Sequence, residues 1–202
     1  MVSCFDPHVF VLIFFDTGSG STKLTWKRRL RIAIDMAEAL DNLHDGCEPP
    51  IIHRDFNSSN ILLSENFEAK ISGFALAVSL NPSHVSITVA GTIGYIDPQY
   101  LITGKLSIGR DVYGFGVVLM EMITGKSANQ LHVEGVLITQ WVSSMFANGE
   151  IGEANFDVHS VEEALSSAFA CLSHHSNDRP TMAEVPLKLK HCLQMETSPP
   201  FN

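Results

Sequence analysis

The chain has 202 residues, 45 % of them hydrophobic, and a formal net charge of −9. That length suits one domain with a sizeable core, and the acidic balance argues against a nucleic-acid groove or an anionic membrane surface. The four cysteines, Cys4, Cys47, Cys171 and Cys192, are scattered and form no C-x-x-C, so they read as reduced thiols, not as a disulfide framework or a zinc site.

In chain order, V-F-V-L-I-F-F at 9–15 comes first. It is too short to span a bilayer, which takes about 20 apolar residues, and it reads as a buried β-strand ending at D-T-G-S-G-S. Trp26, Leu30, Ala33, Ala37 and Leu40 then recur at three- and four-residue steps. They predict a helix with Thr25 as N-cap and a stop at Gly46, ahead of Pro49-Pro50. Ile51-Ile52, Ile61–Leu63 and Ala69–Ile71 are short apolar pieces, and Glu65-Asn66 predicts a small hairpin between the last two. Residues 78–110 carry no sustained period and read as a long surface loop.

Val112–Ile123 is apolar nearly all round, which predicts a buried central helix starting at Asp111 and stopping at Gly125. Residues 137–148 and 160–173 predict two amphipathic helices. The adjacent His174-His175 reads as a solvated pair pointing to different sides. Thr181 and Glu184 form a capping box for a last helix. Pro186 inside it either delays the start or kinks the axis, at a cost of ~3 kcal/mol if the helix stays straight.

The chemistry-bearing run is H-R-D-F-N-S-S-N, residues 53–60, which matches H-R-D-x-x-x-x-N, the catalytic loop of protein kinases. Further matches follow in order: G-T-I-G-Y-I-D-P-Q-Y (91–100) resembles the end of a kinase activation loop, D-V-Y-G-F-G-V-V-L-M-E-M-I-T-G-K its central helix, and D-R-P-T-M (178–182) the entry to its last helix. L-T-W-K-R-R-L-R-I-A, H-D-G-C-E-P-P-I-I-H-R-D and S-S-N-I-L-L resemble plant receptor-like serine/threonine kinases of the leucine-rich-repeat or malectin-like type. The resemblance implies a mainly α fold, the C-terminal lobe of a kinase, with a few short β-strands around the catalytic loop. It covers 18–195, after an unassigned segment at 1–17 and before a tail at 196–202.

Phosphoryl transfer is mostly positioning and charge neutralisation, and the resemblance assigns those roles here. Asp55 is the base that accepts the hydroxyl proton. Asn60 ligates magnesium. Arg54 grips a phosphorylated loop residue, with Ser83, Ser86 and Thr88 as candidates. Thr92 holds the substrate hydroxyl near Asp55. ATP and magnesium are the implied cofactors.

Several positions depart from the family pattern. K-I-S-G-F-A-L-A (70–77) stands where the family has D-F-G, so Gly73 replaces the carboxylate that holds magnesium. Asn57 stands where a lysine is expected. Gln99 replaces the glutamate whose family partner matches Arg179, which predicts a neutral hydrogen bond in place of an ion pair. No G-x-G-x-x-G and no V-A-I-K-like lysine match the small lobe, G-S-G-S at 18–21 does not read as an ATP loop, and the segment after Ile151 reads as shortened.

Together these imply a catalytically impaired lobe that acts as a signalling interaction module. Its partner is a kinase or receptor complex, through which it sits in the cytoplasm at the periphery of the plasma membrane. The alternatives are an active serine/threonine kinase that transfers the ATP γ-phosphate to a protein hydroxyl, and a non-functional truncated gene product.

Overall fold

The computed structural model describes residues 10–11, 24–80, 88–148 and 157–197. The Thr25 hydroxyl accepts the Arg28 N–H and starts helix α1, Trp26–Asp41. The expected apolar stripe is the buried one: Trp26, Leu30, Ala33, Ala37 and Leu40 are no more than 2 % exposed. Burying one large apolar side chain stabilises by about 1.5–3 kcal/mol, so packing, more than helix propensity, holds α1. A π-helical turn, Asn42–Gly46, carries it to the stop expected at Gly46.

Strands β2 (Ile51–Ile52), β3 (Ile61–Leu63) and β4 (Ala69–Ile71) follow. β3 and β4 form the expected antiparallel hairpin, with Leu62 opposite Lys70. Of the strand expected at 9–15, β1 (Phe10–Val11) is described, and it pairs antiparallel with β3. The G-S-G-S stretch, Ser83, Ser86 and the segment after Ile151 lie outside the described residues.

The surface loop expected over 78–110 is corrected by the structure. Strand β5 (Val78–Ser79) pairs antiparallel with β2. Helix α2 (Pro98–Thr103) starts on an Asp97 cap with proline in its first turn and ends on left-handed Gly104. Tyr95, Asp97 and Tyr100 are buried. Elements this short complete too few turns to show a period, so only their caps mark them.

Helix α3 (Gly109–Thr124) is the central one, with Phe115, Val118, Met120 and Met122 fully buried. Gly125 ends it in the left-handed region as expected, whereas Asp111 lies within its first turn and does not cap it. Helices α1, α5 (Ile138–Ala147) and α6 (Val158–Cys171) pack around it. Gly114 lets the 53–60 loop lie on this helix, because a Cβ there would be 2.7 Å from the Phe56 carbonyl oxygen. Helix α4 (Ala128–Val133), capped by Ser127, is not anticipated by the sequence.

Helix α7 (Val185–Met195) starts late enough to place Pro186 in its first turn, where the missing N–H and fixed φ are tolerated. The capping box is half formed: the Thr181 N–H donates to Glu184 at 2.8 Å. The Trp26 Nε1–H donates to Ser160, whose hydroxyl donates to the Cys192 carbonyl, joining α1, α6 and α7. His174 and His175 are exposed, but their rings meet edge to face at 5.2 Å instead of diverging. Cys47, Cys171 and Cys192 are free thiols. The result is the expected mainly helical lobe with a few short strands, and among the described residues no helix is long and apolar enough to cross a membrane.

Candidate functional site

The loop between β2 and β3 is fixed from below by Asp111 of α3. The Asp111 carboxylate accepts the backbone N–H groups of His53 at 2.7 Å and Arg54 at 3.0 Å, and His44 Nε2 at 3.0 Å. These bonds hold Arg54 at φ 66°, a left-handed conformation uncommon outside glycine. His53 donates from Nε2 to the Ser72 carbonyl at 2.8 Å, and its Nδ1 accepts the Asp55 N–H at 3.3 Å, which sets the tautomer. The Phe74 ring packs edge-on against His53, with centroids 4.8 Å apart.

The structure brings Asp55, Thr92 and Asn60 together. Asp55 Oδ1 accepts the Thr92 hydroxyl at 2.7 Å and the Thr92 N–H at 2.9 Å. Asn60 Nδ2 donates to Asp55 Oδ2 at 3.2 Å and to the Asp55 carbonyl at 2.8 Å. Both carboxylate oxygens therefore already accept protein donors. Asn57, read from the sequence only as a missing cation, has a role of its own. Its amide donates to the Asp55 carbonyl at 2.9 Å and to the Thr92 hydroxyl at 3.2 Å, and its Oδ1 accepts the Ser59 N–H. No motif signals this cross-link, because it joins residues 35 apart in sequence.

Gly73 lies beside this unit at φ 79°, just before a single 3₁₀ turn, Phe74–Leu76. A Cβ at residue 73 would collide with the side-chain carbon, oxygen and nitrogen of Asn60. The space that a carboxylate at 73 would need is thus filled by Asn60, whose amide nitrogen is turned towards Asp55. These residues do not fit a magnesium ion, which favours near-octahedral oxygen ligands, commonly carboxylates. Among the described residues no cluster of three or more His, Cys, Asp or Glu could hold a metal.

The expected Gln99–Arg179 contact is corrected. Arg179 instead makes a two-toothed pair with Asp97, Nη1 to Oδ2 at 2.6 Å and Nη2 to Oδ1 at 2.8 Å. Gln99 Oε1 accepts the Ser176 N–H at 2.7 Å. The charge-assisted pair is kept, with a carboxylate two positions earlier in the chain. Arg179 sits between α2 and the start of α3, donating also to the Gly109 carbonyl at 2.7 Å, and a two-residue shift of partner leaves it there.

A second buried network lies under residues 91–95. The Tyr95 hydroxyl donates to Glu121 Oε1 at 2.5 Å, so the Ser58 hydroxyl, 2.9 Å away, donates to Tyr95. Glu121 Oε1 also accepts the Ala128 N–H at 2.8 Å. Burial pushes the Glu121 carboxyl up to about 7, against the opposing pull of Tyr95, Ala128 and Ser58. Its folded pKa therefore exceeds the unfolded value, and the folded form binds the proton more tightly. Stability from this group is full below about pH 4.5 and falls as pH rises to about 7, by on the order of 3 kcal/mol. Replacing Glu121 with Gln should flatten that fall in urea unfolding measured from pH 4.5 to 8.

Comparison with known proteins follows the same lines. A family model described as "Protein kinase domain" matches residues 14–191. The chain is 42 % identical over 187 residues to the LRR receptor-like serine/threonine-protein kinase IOS1 of Arabidopsis thaliana, covering 88 % of this chain and 21 % of that protein. It is 41 % identical over 189 residues to the probable LRR receptor-like serine/threonine-protein kinase At1g51880 of the same plant, covering 89 % and 22 %. The chain thus spans about a fifth of the length of the curated relatives it matches.

Proposed function

This chain belongs to the protein kinase family, with receptor-like serine/threonine kinases among its relatives, and from that premise we propose that it is a catalytically impaired kinase lobe serving as a signalling interaction module. The observation that carries the proposal is the Asn60 side chain occupying the space above Gly73. In a transferring site, Asp55 would accept a proton from a protein hydroxyl while metals neutralise the phosphates. Here Asp55 is bonded on both oxygens by Thr92 and Asn60, and the neighbouring donors suit no magnesium ion.

The remaining roles follow from this geometry. Asp55, Asn57, Thr92 and Asn60 act as a closed hydrogen-bonded unit that stiffens the lobe. Protein recognition then falls to its surface, with a kinase or receptor complex as the partner. The active-kinase reading has no specific observation in its favour beyond the retained Asp55, Asn60, Arg54 and Thr92.

The test is thermal unfolding with and without ATP and magnesium. A ligand bound at 100 times its Kd adds about 2.7 kcal/mol to folded stability, so a binder would show a clear rise. The expected result is no magnesium-dependent change in Tm, and such a rise overturns the proposal. Gly73→Asp should not create one. Its Cβ meets Asn60, and the left-handed backbone adds about 1 kcal/mol of strain, so this variant should melt lower. As an interaction module, the chain should bind a receptor-like kinase domain equally well after Asp55→Ala, measured by calorimetry.

A further inference from the structure

Residues 88–92, which deliver Thr92 to Asp55, lie over two buried arginines. Arg54 and Arg110 are 6 % and 4 % exposed. Arg54 donates from Nη2 to the Thr88 carbonyl at 2.8 Å and from Nη1 to the Leu76 carbonyl at 3.3 Å. Arg110 donates from Nη2 to the Ala90 carbonyl at 2.5 Å. Its guanidinium lies 5.0 Å from the centre of the Tyr100 ring, whose hydroxyl is 3.4 Å from both Arg54 Nη2 and the Thr88 carbonyl.

The close approach extends to the next residue. Gly91 has φ 135°, and a Cβ there would strike Arg110 Nη2. A side chain at 91 would therefore have to displace that guanidinium, one position before Thr92.

Buried guanidinium groups normally face carboxylates. Among the described residues, these two arginines make one ion pair, Arg110 with Asp111 at 3.9 Å, and the Asp111 oxygens already serve the His44 ring and the backbone N–H groups of His53 and Arg54. Burial pulls the Arg110 pKa down, Asp111 and Tyr100 oppose this, and neighbouring Arg54 adds to the lowering. Both Nε groups are buried without a partner. The donors these arginines do use go to the carbonyls of Leu76, Thr88 and Ala90 and to the Tyr100 hydroxyl. An anion on the segment would have to compete for groups that the segment's own carbonyls already hold.

We propose that Arg110 is a positioning residue which, with Arg54, seats residues 88–92 on the 53–60 loop without a phosphate on the segment. The proposal rests on reading Asp55 and Thr92 as the retained unit of the site. Arg110 acts through Ala90 and Gly91, without a hydrogen bond of its own to Asp55.

Hydrogen exchange of the phosphatase-treated full chain, read by mass spectrometry over 88–95, tests it, since the Thr92 N–H is bonded to Asp55. The stretch should be protected at least tenfold over its unfolded rate, and added inorganic phosphate should change nothing. Arg110→Ala should remove that protection while α1 and α6 keep theirs. Arg110→Lys should restore part of it, because an ammonium can reach the Ala90 carbonyl but cannot stack on Tyr100 as a planar group. Gly91→Ala pushes the guanidinium aside without deleting a buried cation, so it should loosen the same stretch even if Arg110→Ala fails to fold. A stretch unprotected after phosphatase, or tightened by phosphate, would make the arginines an anion seat and overturn the proposal. Wild-type exchange in both Arg110→Ala and Gly91→Ala would do the same. None of these outcomes involves nucleotide, so they are distinguishable from the magnesium-dependent rise in Tm that would overturn the proposed function.

Discussion

Replacing Arg179 with alanine should lower the free energy of unfolding by about 3–5 kcal/mol, the usual cost of stranding one member of a buried ion pair. Asp97 and Arg179 are 2 % and 1 % exposed in their side chains. The guanidinium also donates to the carbonyls of Ser173 at 2.8 Å, Gly109 at 2.7 Å and His174 at 3.4 Å. One side chain thus ties the start of α2, the start of α3 and the turn after α6. Its loss leaves a buried carboxylate without a cation and three carbonyls without their donor.

The direct measurement is urea unfolding followed by tryptophan fluorescence. For a domain with typical stability of 5–15 kcal/mol, the loss is a large part of the whole. Arg179→Lys should recover less than half, because an ammonium cannot reproduce the planar fork. Gln99→Glu separates the two possible partners. If Gln99 were the partner of Arg179, adding a carboxylate there would stabilise the fold. With Asp97 in that place, the substitution should change stability by less than about 0.5 kcal/mol, as changes away from such features usually do. An Arg179→Ala loss no larger than that of Gln99→Ala would remove the ion pair from the account.

Elements with a full period were legible in the sequence. The stripe Trp26, Leu30, Ala33, Ala37, Leu40 gave α1 because burial follows the helical repeat, and the apolar run from Val112 gave α3 because its whole circumference is covered. The β3–β4 hairpin was legible from its polar turn. Helices α2 and α4 were not, since six residues make fewer than two turns. Their signals are the caps Asp97, followed by proline, and Ser127.

The candidate site divides the same way. The altered chemistry at Gly73 could be read directly, because a missing carboxylate is a property of one position. That the Asn60 side chain fills this space is a property of two backbones meeting, and no spacing encodes it. Asn57 shows the same limit: it looked like a lost charge, yet it joins Asp55 to Thr92. The partner of Arg179 was misassigned by two residues because both candidate acceptors lie in the same turn of chain, and only side-chain direction distinguishes them.

Asp111→Ala should cost about 3–5 kcal/mol and should disorganise the 53–60 loop more than any change at Asp55. Asp111 is 1 % exposed and accepts two backbone N–H groups and the His44 ring. Each buried donor left unsatisfied costs about 1–3 kcal/mol, and three are released together. One of them is the N–H of Arg54, whose left-handed backbone persists only because its surroundings hold it. Asp111→Asn should rescue little, since its NH₂ must face a donor. Asp55→Ala releases the Thr92 and Asn60 donors at a half-buried site that water can reach, so its loss should be smaller, about 1–2 kcal/mol. Urea unfolding of the three variants gives the ranking, and hydrogen exchange of the His53 and Arg54 amides locates the damage. If Asp55→Ala proved the more damaging, the closed unit around Asp55 would be the foundation of the loop, and α3 would merely lie beneath it.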